Sequence, residues 1–216
     1  MYVELIDVMA SDESVVRAAK VSTIGAASVD SQASEKLINY LIRENHMSPF
    51  EHNSFTFLVH APIFVTREML RHRIGTSFNE ESGRYRELDT EFYYPTDRPL
   101  RQVGKTGDYN FESGNELRED TIHLFREAFN ITGVVYKDLL EMGVAKEVAR
   151  MVLPVGLYSS MYFTVNARSL MHFLGLRTAP NAMWEIKEIA KAMEESFAIH
   201  MPMTYNAWVS TRRVAV

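Results

Sequence analysis

Arginine is concentrated in one stretch of this chain. Residues 67 to 86 read REMLRHRIGTSFNEESGRYR and hold five arginines (Arg67, Arg71, Arg73, Arg84, Arg86), with a sixth at Arg101. A guanidinium group is a planar fork matched to phosphate, and short Ser and Gly residues let backbone N–H groups approach an anion. The stretch therefore has the chemistry of an anion site. A solvated helix face running into a charged loop accounts for the same composition. Two more arginines, Arg150 in VARMVLP and Arg177 in FLGLRTAP, sit among apolar residues. A buried unpaired charge is costly, so each is paired, faces a ligand, or lays its stem along apolar surface.

Other chemistries lack their residues. The chain has no cysteine, which excludes disulfides, cysteine zinc sites, iron–sulfur clusters and a cysteine nucleophile. The seven histidines form neither His-x-x-x-His nor His-Glu-x-x-His, so no metal site is expected. There is no GxGxxG and no GxxxxGK[ST], so a nucleotide must be held outside a Rossmann or P-loop scaffold. The balance of 23 basic and 28 acidic residues gives −5, which argues against broad nucleic-acid binding but not against a local basic pocket. The apolar runs are short of a membrane span and the N-terminus has no signal-peptide pattern, so a cytoplasmic protein is expected. At 216 residues and 46% hydrophobic, the chain can bury a real core.

The elements that must position the arginines follow from periodicity. Tyr2 to Met9 alternates as a strand, and Ser11 caps a helix. A polar stretch, 22 to 31, precedes an amphipathic helix on Leu37, Tyr40 and Leu41. Phe55 to Val59 reads as a strand, and Pro62 opens a helix to about Arg73. Residues 74 to 88 read as an ordered loop, Glu91 to Tyr94 as a short strand, and 95 to 110 as a mobile loop rich in Pro, Gly and charge. Ser113 and Glu116 form a capping box before a helix whose stripe is Leu117, Leu124, Phe125, Ala128, Ile131, Val135, Leu139 and Leu140, ended by Gly143. A short helix reaches Leu153, Leu157 to Val165 is a strand, Asn166 caps a helix to Leu174, and a last helix ends near His200. Without β-α-β alternation the fold class is α+β, helices on a small, mostly antiparallel sheet.

RHRIGTSFNEESGRY closely resembles the signature of the flavin-dependent thymidylate synthases, an RHR triplet, a spacer and a serine. VELIDVM, VRAAKVS, SPFEH, APIFVTRE, EFYYP, VARMVLP and TVNARSLMHFLGLR resemble further family blocks in family order, so the likeness spans nearly the whole chain. The spacer between Arg73 and Ser82 is eight residues here rather than the family's seven, with the extra residue in Gly75-Thr76-Ser77. The resemblance implies a single domain over 1–216. It implies a methyltransferase of dTMP biosynthesis that converts dUMP to dTMP. Methylenetetrahydrofolate is the implied carbon donor and FAD the implied hydride carrier, re-reduced by NADPH. It also implies a homotetramer with sites shared between subunits. The twelve methionines and the apolar stripe from 117 to 140 suit a helical interface and an ordinary core equally.

Carried over by position, Arg71, His72 and Arg73 match the triplet that meets FAD. His46, Ser48 and Glu51 match flavin-side positions, Asn166, Arg168 and His172 match contacts on the late helix, and Ser22 and Glu80 are further flavin candidates. For dUMP, Glu68 matches a position at the deoxyribose. Glu80, Glu81, Ser82, Gly83 and Arg84 match the cradling loop, with Arg71, Arg150 and Arg177 completing the pocket. Arg177 is the expected catalytic residue, because its permanent charge favours loss of the uracil N3 proton. Ser82 has no Ser-His-Asp partners in view and is read as a binding group. Two other functions remain open on the residues: a nucleotide- or RNA-binding module, and a flavoenzyme acting on dCMP or another pyrimidine nucleotide.

Overall fold

The computed structural model describes residues 1–105, 108–112, 117–211 and 213. In chain order the elements are β1 (Tyr2–Met9), α1 (Asp12–Ile24), α2 (Glu35–Arg43), β2 (Ser54–Pro62), α3 (Ile63–Met69), β3 (Thr76–Glu80) and β4 (Arg101–Lys105). They continue with β5 (Asp108–Glu112), α4 (Arg118–Glu141), α5 (Lys146–Ala149), β6 (Tyr158–Asn166), α6 (Ala167–Arg177), α7 (Trp184–His200) and α8 (Pro202–Ser210). Short 3₁₀ turns occupy 25–30, 48–52 and 150–152. The α+β class expected from the sequence is the class observed. Two compact units are distinguished: Met1–His60 with Arg67–Asn79 and Ser160–Val216, and Ala61–Thr66 with Glu80–Ser159.

The first unit is built on a four-stranded sheet of order β1-β2-β6-β3, with β1 and β2 antiparallel. Strand β2 alternates as its sequence demands. Phe55, Phe57 and Val59 are fully buried, whereas Thr56, Leu58 and His60 on the other face are half-buried. Phe55 meets Phe197 of α7 edge-on at 6.1 Å, and Phe197 continues to Trp208 of α8 at 6.3 Å. Each such ring contributes about 1.5–3 kcal/mol by leaving water. The caps at Ser11 and Ser34 each accept the backbone N–H three residues on, at 3.1 and 3.4 Å.

The expected end near His200 omits α8. Pro202 opens it at the first helical turn, a start signal present in the sequence. The buried Asp12 carboxylate fixes α8 in place. It accepts from the backbone N–H of Met203 (2.8 Å) and of Thr204 (3.0 Å) and from the Thr204 hydroxyl (2.6 Å).

The second unit differs from expectation in several places. Within the expected loop of 95 to 110, residues 101–105 form strand β4, which pairs antiparallel with β5 (108–112), in register from Arg101↔Glu112 to Lys105↔Asp108. Their Gly and charge content masked cross-strand partners such as the Arg101–Glu112 ion pair at 3.6 Å. Residues 91–94 contribute only a bridge, Phe92↔Leu157. The capping box at Ser113 and Glu116 lies outside the described residues. On α4 the buried stripe is Ile122, Phe129, Gly133 and Tyr136, whereas Leu124, Ile131 and Val135 of the expected stripe are exposed. The helix carries apolar residues around most of its circumference, so periodicity alone did not choose a face. Aromatic packing does: Phe129 stacks on Phe92 at 4.7 Å, and the Tyr136 hydroxyl accepts from the Leu88 N–H at 3.0 Å.

Two further departures lie around the arginine stretch. Pro62 ends β2 rather than starting α3, which stops at Met69 instead of Arg73. Part of the expected 74–88 loop is strand β3, whose Phe78 stacks on Phe163 of β6 at 4.9 Å.

The Asp12 anchor gives a stability prediction. Asp12→Ala leaves three donors without their acceptor and should cost about 3 kcal/mol. The readout is a lower urea midpoint at unchanged slope; a loss under about 1 kcal/mol means that the carboxylate does not hold α8.

Candidate functional site

Strand β6 passes into α6 at Asn166, whose side-chain oxygen accepts the Ser169 N–H at 2.8 Å. One face of α6, including Leu170, Phe173 and Leu174, is fully buried. The opposite face carries Arg168, His172 and Leu176 at successive four-residue steps, which stacks them along the helix. The turn after α3 brings Arg71, His72 and Arg73 to this face. Gly75 ends that turn with φ +64°, and its carbonyl accepts the Asn166 N–H at 3.0 Å. A Cβ at Gly75 would lie 2.2 Å from the Asn166 side-chain nitrogen and 2.4 Å from the Ser169 hydroxyl. Only glycine has both the left-handed backbone and the clearance this approach requires. The one-residue-longer spacer therefore leads into an ordered strand, with the Thr76 hydroxyl donating to the His72 carbonyl at 2.8 Å.

A cavity of about 990 Å³ opens between the turn and the helix, lined in part by Arg71, His72, Arg73, Arg168, His172 and Arg177. Four guanidinium groups on one cavity in a chain of net charge −5 suit a polyanion. The size and charge are compatible with a ligand as large and as anionic as a dinucleotide. Ser169, Ile74 and Leu176 also line it, and the sequence reading did not single them out. The four-residue spacing from Arg168 and His172 was the signal for Leu176; nothing in the sequence marked Ile74, which is 87% exposed.

Arg177 is held on three sides. Its Nε donates to His72 Nε2 at 2.9 Å, Nη1 to the Glu68 carboxylate at 2.7 Å, and Nη2 to the Glu68 carbonyl at 3.2 Å. Arg71 lies 3.8 Å from the same carboxylate. The His72 ring meets Phe173 edge-on at 4.9 Å and His172 at 6.0 Å. Burial, then the Arg177 charge and more weakly His172 and Arg71, lower the His72 pKa from 6.5 to about 4. His72 is thus a neutral ring in a cationic site. Arg177, assigned to the nucleotide, shares its cavity with the triplet assigned to the flavin.

The remaining flavin-side positions are spread more widely. Glu51 pairs with Arg168 at 2.6 Å, which ties the 48–52 turn to α6. His46 and Ser48 are exposed beside that turn, and His46 packs edge-on against Tyr40 at 5.8 Å. Ser22 is exposed near the end of α1, where its hydroxyl donates to the Ala19 carbonyl, and it does not line the cavity.

Glu80, Glu81, Ser82, Gly83, Arg84 and Arg150 belong to the second unit. There the Ser82 carbonyl accepts from the Tyr85 and Arg86 N–H groups, closing a tight turn. Gly83 is buried, and a Cβ there would lie 2.7 Å from Leu88 and 3.1 Å from the Arg150 stem. Arg150 is exposed with its stem beside this glycine, so it snorkels. Arg84 pairs with Glu147 at 3.0 Å, and Arg86 pairs with Glu81 at 2.9 Å and Asp89 at 3.0 Å. Much of the positive charge in the loop is therefore matched locally. Among the described residues, no group of three or more His, Asp or Glu side chains is arranged to hold a metal ion. No helix among them is long and apolar enough to cross a membrane.

Comparison with known proteins gives the same picture over the full length. The family model described as thymidylate synthase complementing protein matches residues 4–203. The flavin-dependent thymidylate synthase of Streptomyces avermitilis is 49% identical, with 99% of this chain and 92% of that protein covered. That of Thermotoga neapolitana is 47% identical, over 96% and 90%. Among solved structures, the UMP/dUMP methylase PolB from Streptomyces cacaoi bound with 5-Br dUMP superposes with a TM-score of 0.93 at 46% identity, covering 100% of this chain and 97% of that one. The same protein bound with 5-Br UMP gives a TM-score of 0.91. With a family model matched over residues 4–203 and relatives at 47–49% identity over nearly the whole chain, this chain belongs to the flavin-dependent thymidylate synthase family.

Proposed function

We propose that the protein catalyses the reductive methylation of dUMP to dTMP in the cytoplasm, with residues 1–216 as one catalytic domain. Methylenetetrahydrofolate gives the carbon that replaces the C5 proton and leaves as tetrahydrofolate; NADPH is the reductant. FAD, when bound and reduced by NADPH, would supply the hydride that completes the methyl group. The observation that carries this reading is the four-arginine cavity between the RHR turn and α6, in a chain of this family.

Arg71, His72, Arg73, Asn166, Arg168 and His172 are assigned to the flavin, with Ser22, His46, Ser48, Glu51 and Glu80 as further contacts. Glu68, Arg71, Glu80, Glu81, Ser82, Gly83, Arg84, Arg150 and Arg177 are assigned to dUMP. The chain has no thiol to add to uracil. C5 must gain electron density another way, and a fixed guanidinium can favour loss of the N3 proton and stabilise the resulting anion. After its bonds to His72 and Glu68, Arg177 keeps one N–H on each terminal nitrogen for that purpose. A second reading, that UMP is also methylated, is favoured by the similar PolB bound with 5-Br UMP.

The assembly proposed is a homotetramer with shared sites. Leu124, Ile131 and Val134 on α4 are 58–64% exposed, an apolar stripe suited to another subunit.

Purified protein should be yellow and should convert dUMP to dTMP; a folded sample that neither retains nor takes up FAD sinks the assignment. Running dUMP, UMP and dCMP side by side identifies the base and sugar accepted. Arg177→Ala, assayed in single turnover at saturating dUMP and FAD, should lose about 10²–10³ in rate. Ser82→Ala removes a neutral hydrogen bond worth about 0.5–1.5 kcal/mol and should weaken dUMP binding while keeping turnover. If Ser82→Ala with both sites full is as inactive as Arg177→Ala, Ser82 does covalent or proton-transfer chemistry instead.

Sedimentation should give four times the chain mass of 24.8 kDa. Ile131→Glu should shift the protein to smaller species. A fully active monomer rejects the shared-site assembly.

A further inference from the structure

We infer that His72, beyond any contact with the flavin, is the positioning residue for Arg177: its unprotonated Nε2 accepts the Arg177 Nε–H and sets the plane in which the guanidinium meets the pyrimidine. The inference rests on the assignment of Arg177 to the reacting base.

Arginine is only a donor. The 2.9 Å contact between Arg177 Nε and His72 Nε2 therefore requires a lone pair on Nε2 and places the ring proton on Nδ1. The two Glu68 bonds fix the Nη1–Nη2 edge, yet two contacts on one edge leave the group free to tilt about it. The bond at Nε, on another side of the plane, removes that freedom. The ring packs edge-on against Phe173, and the Thr76 hydroxyl holds the His72 backbone by donating to its carbonyl. Side-chain rotation is thus restricted before a ligand arrives, the arrangement that makes a charged group effective toward a developing anion.

A protonated His72 would turn its Nε2–H toward the Arg177 Nε–H and break the bond. The Glu68 carboxylate of α3, also in this cluster, is paired with Arg177 and Arg71. The charged groups that hold the ring neutral are Arg177 and His172 from α6 and Arg71 from its own turn. With burial they keep the ring neutral down to about pH 4. The surroundings therefore preserve the acceptor through the range where an ordinary histidine, with a pKa of about 6.5, gains its proton.

Two measurements test this. Protein labelled with ¹⁵N-histidine, with the His72 signal assigned by its loss in His72→Gln, should show the Nδ1–H tautomer at about pH 6, where an ordinary histidine is mostly charged. An Nε2–H tautomer or a cationic ring at that pH overturns the inference, whatever the activity. The second is turnover at saturating FAD and dUMP, with bound flavin measured by absorbance. His72→Leu removes the acceptor and should lower kcat about 10–100-fold with a much smaller change in KM for dUMP. His72→Gln returns an acceptor near the Nε2 position and should recover most of that loss. A His72→Leu protein with wild-type kcat, or a His72→Gln protein as slow as His72→Leu, rejects the positioning role. If Arg177→Ala keeps its turnover, the underlying assignment of Arg177 has failed, a result separable from the tautomer measurement.

Discussion

The site is organised around the point where β6 becomes α6. At Asn166 the chain must stop pairing as a strand and begin a helix, and the side chain caps that helix by accepting the Ser169 N–H. The Asn166 N–H goes to the Gly75 carbonyl, and the next N–H, of Ala167, goes to the Asn53 carbonyl at 2.8 Å. The buried Asn53 side chain in turn accepts the Ser11 N–H at 3.0 Å at the start of α1. Four segments distant in sequence thus meet through a few directional bonds, centred on the buried Asn53 and Ala167. The RHR turn faces the arginines of α6 because Gly75 has no side chain to hold it away.

That junction explains how an acidic protein holds a cationic cavity. Four guanidinium groups repel one another, and nearby carboxylates offset the repulsion: Glu68 beside Arg177 and Arg71, Glu51 beside Arg168. A positive charge on His72 would add to that repulsion, and burial together with the Arg177 charge prevents it. The arginines of the 80–86 loop are handled differently, with Arg84 and Arg86 matched to carboxylates of their own unit. Arginine density in sequence is therefore a poor measure of charge available to a ligand. What counts is which carboxylate the fold brings alongside.

Helix α4 shows the same principle for apolar surface. Its buried side is chosen by a few large contacts, Phe129 with Phe92 and Tyr136 with the Leu88 N–H, and by Gly156, where a Cβ would come 2.9 Å from the Phe129 ring. The aliphatic stripe left outside is as hydrophobic as the one within. An apolar surface of this kind on a 24-residue helix is the basis of the proposed subunit interface.

Local signals were enough for much of the chain. The caps at Ser11, Ser34 and Asn166 and the alternation of β2 depend on neighbours a few residues away, so their elements were legible in the sequence. Ser34 and the Pro202 start of α8 were legible too, though the reading passed over them. The family blocks likewise named the triplet and the late-helix residues, because those residue types stand at fixed spacings. Pairing between distant segments was not legible. Strand β3 exists because Phe78 finds Phe163 across the sheet, and β4 and β5 because the two strands match each other despite a loop-like composition. The environment of Arg177 is the clearest case. Its residue type and apolar flanks were visible in FLGLRTAP, but its partners Glu68 and His72 lie 109 and 105 residues away. The sequence by itself determined which charges the protein carries and those helices and strands whose caps and alternation are local. Only the tertiary structure decided which charges meet, because distance and burial set both the strength of an ion pair and the proton a histidine keeps.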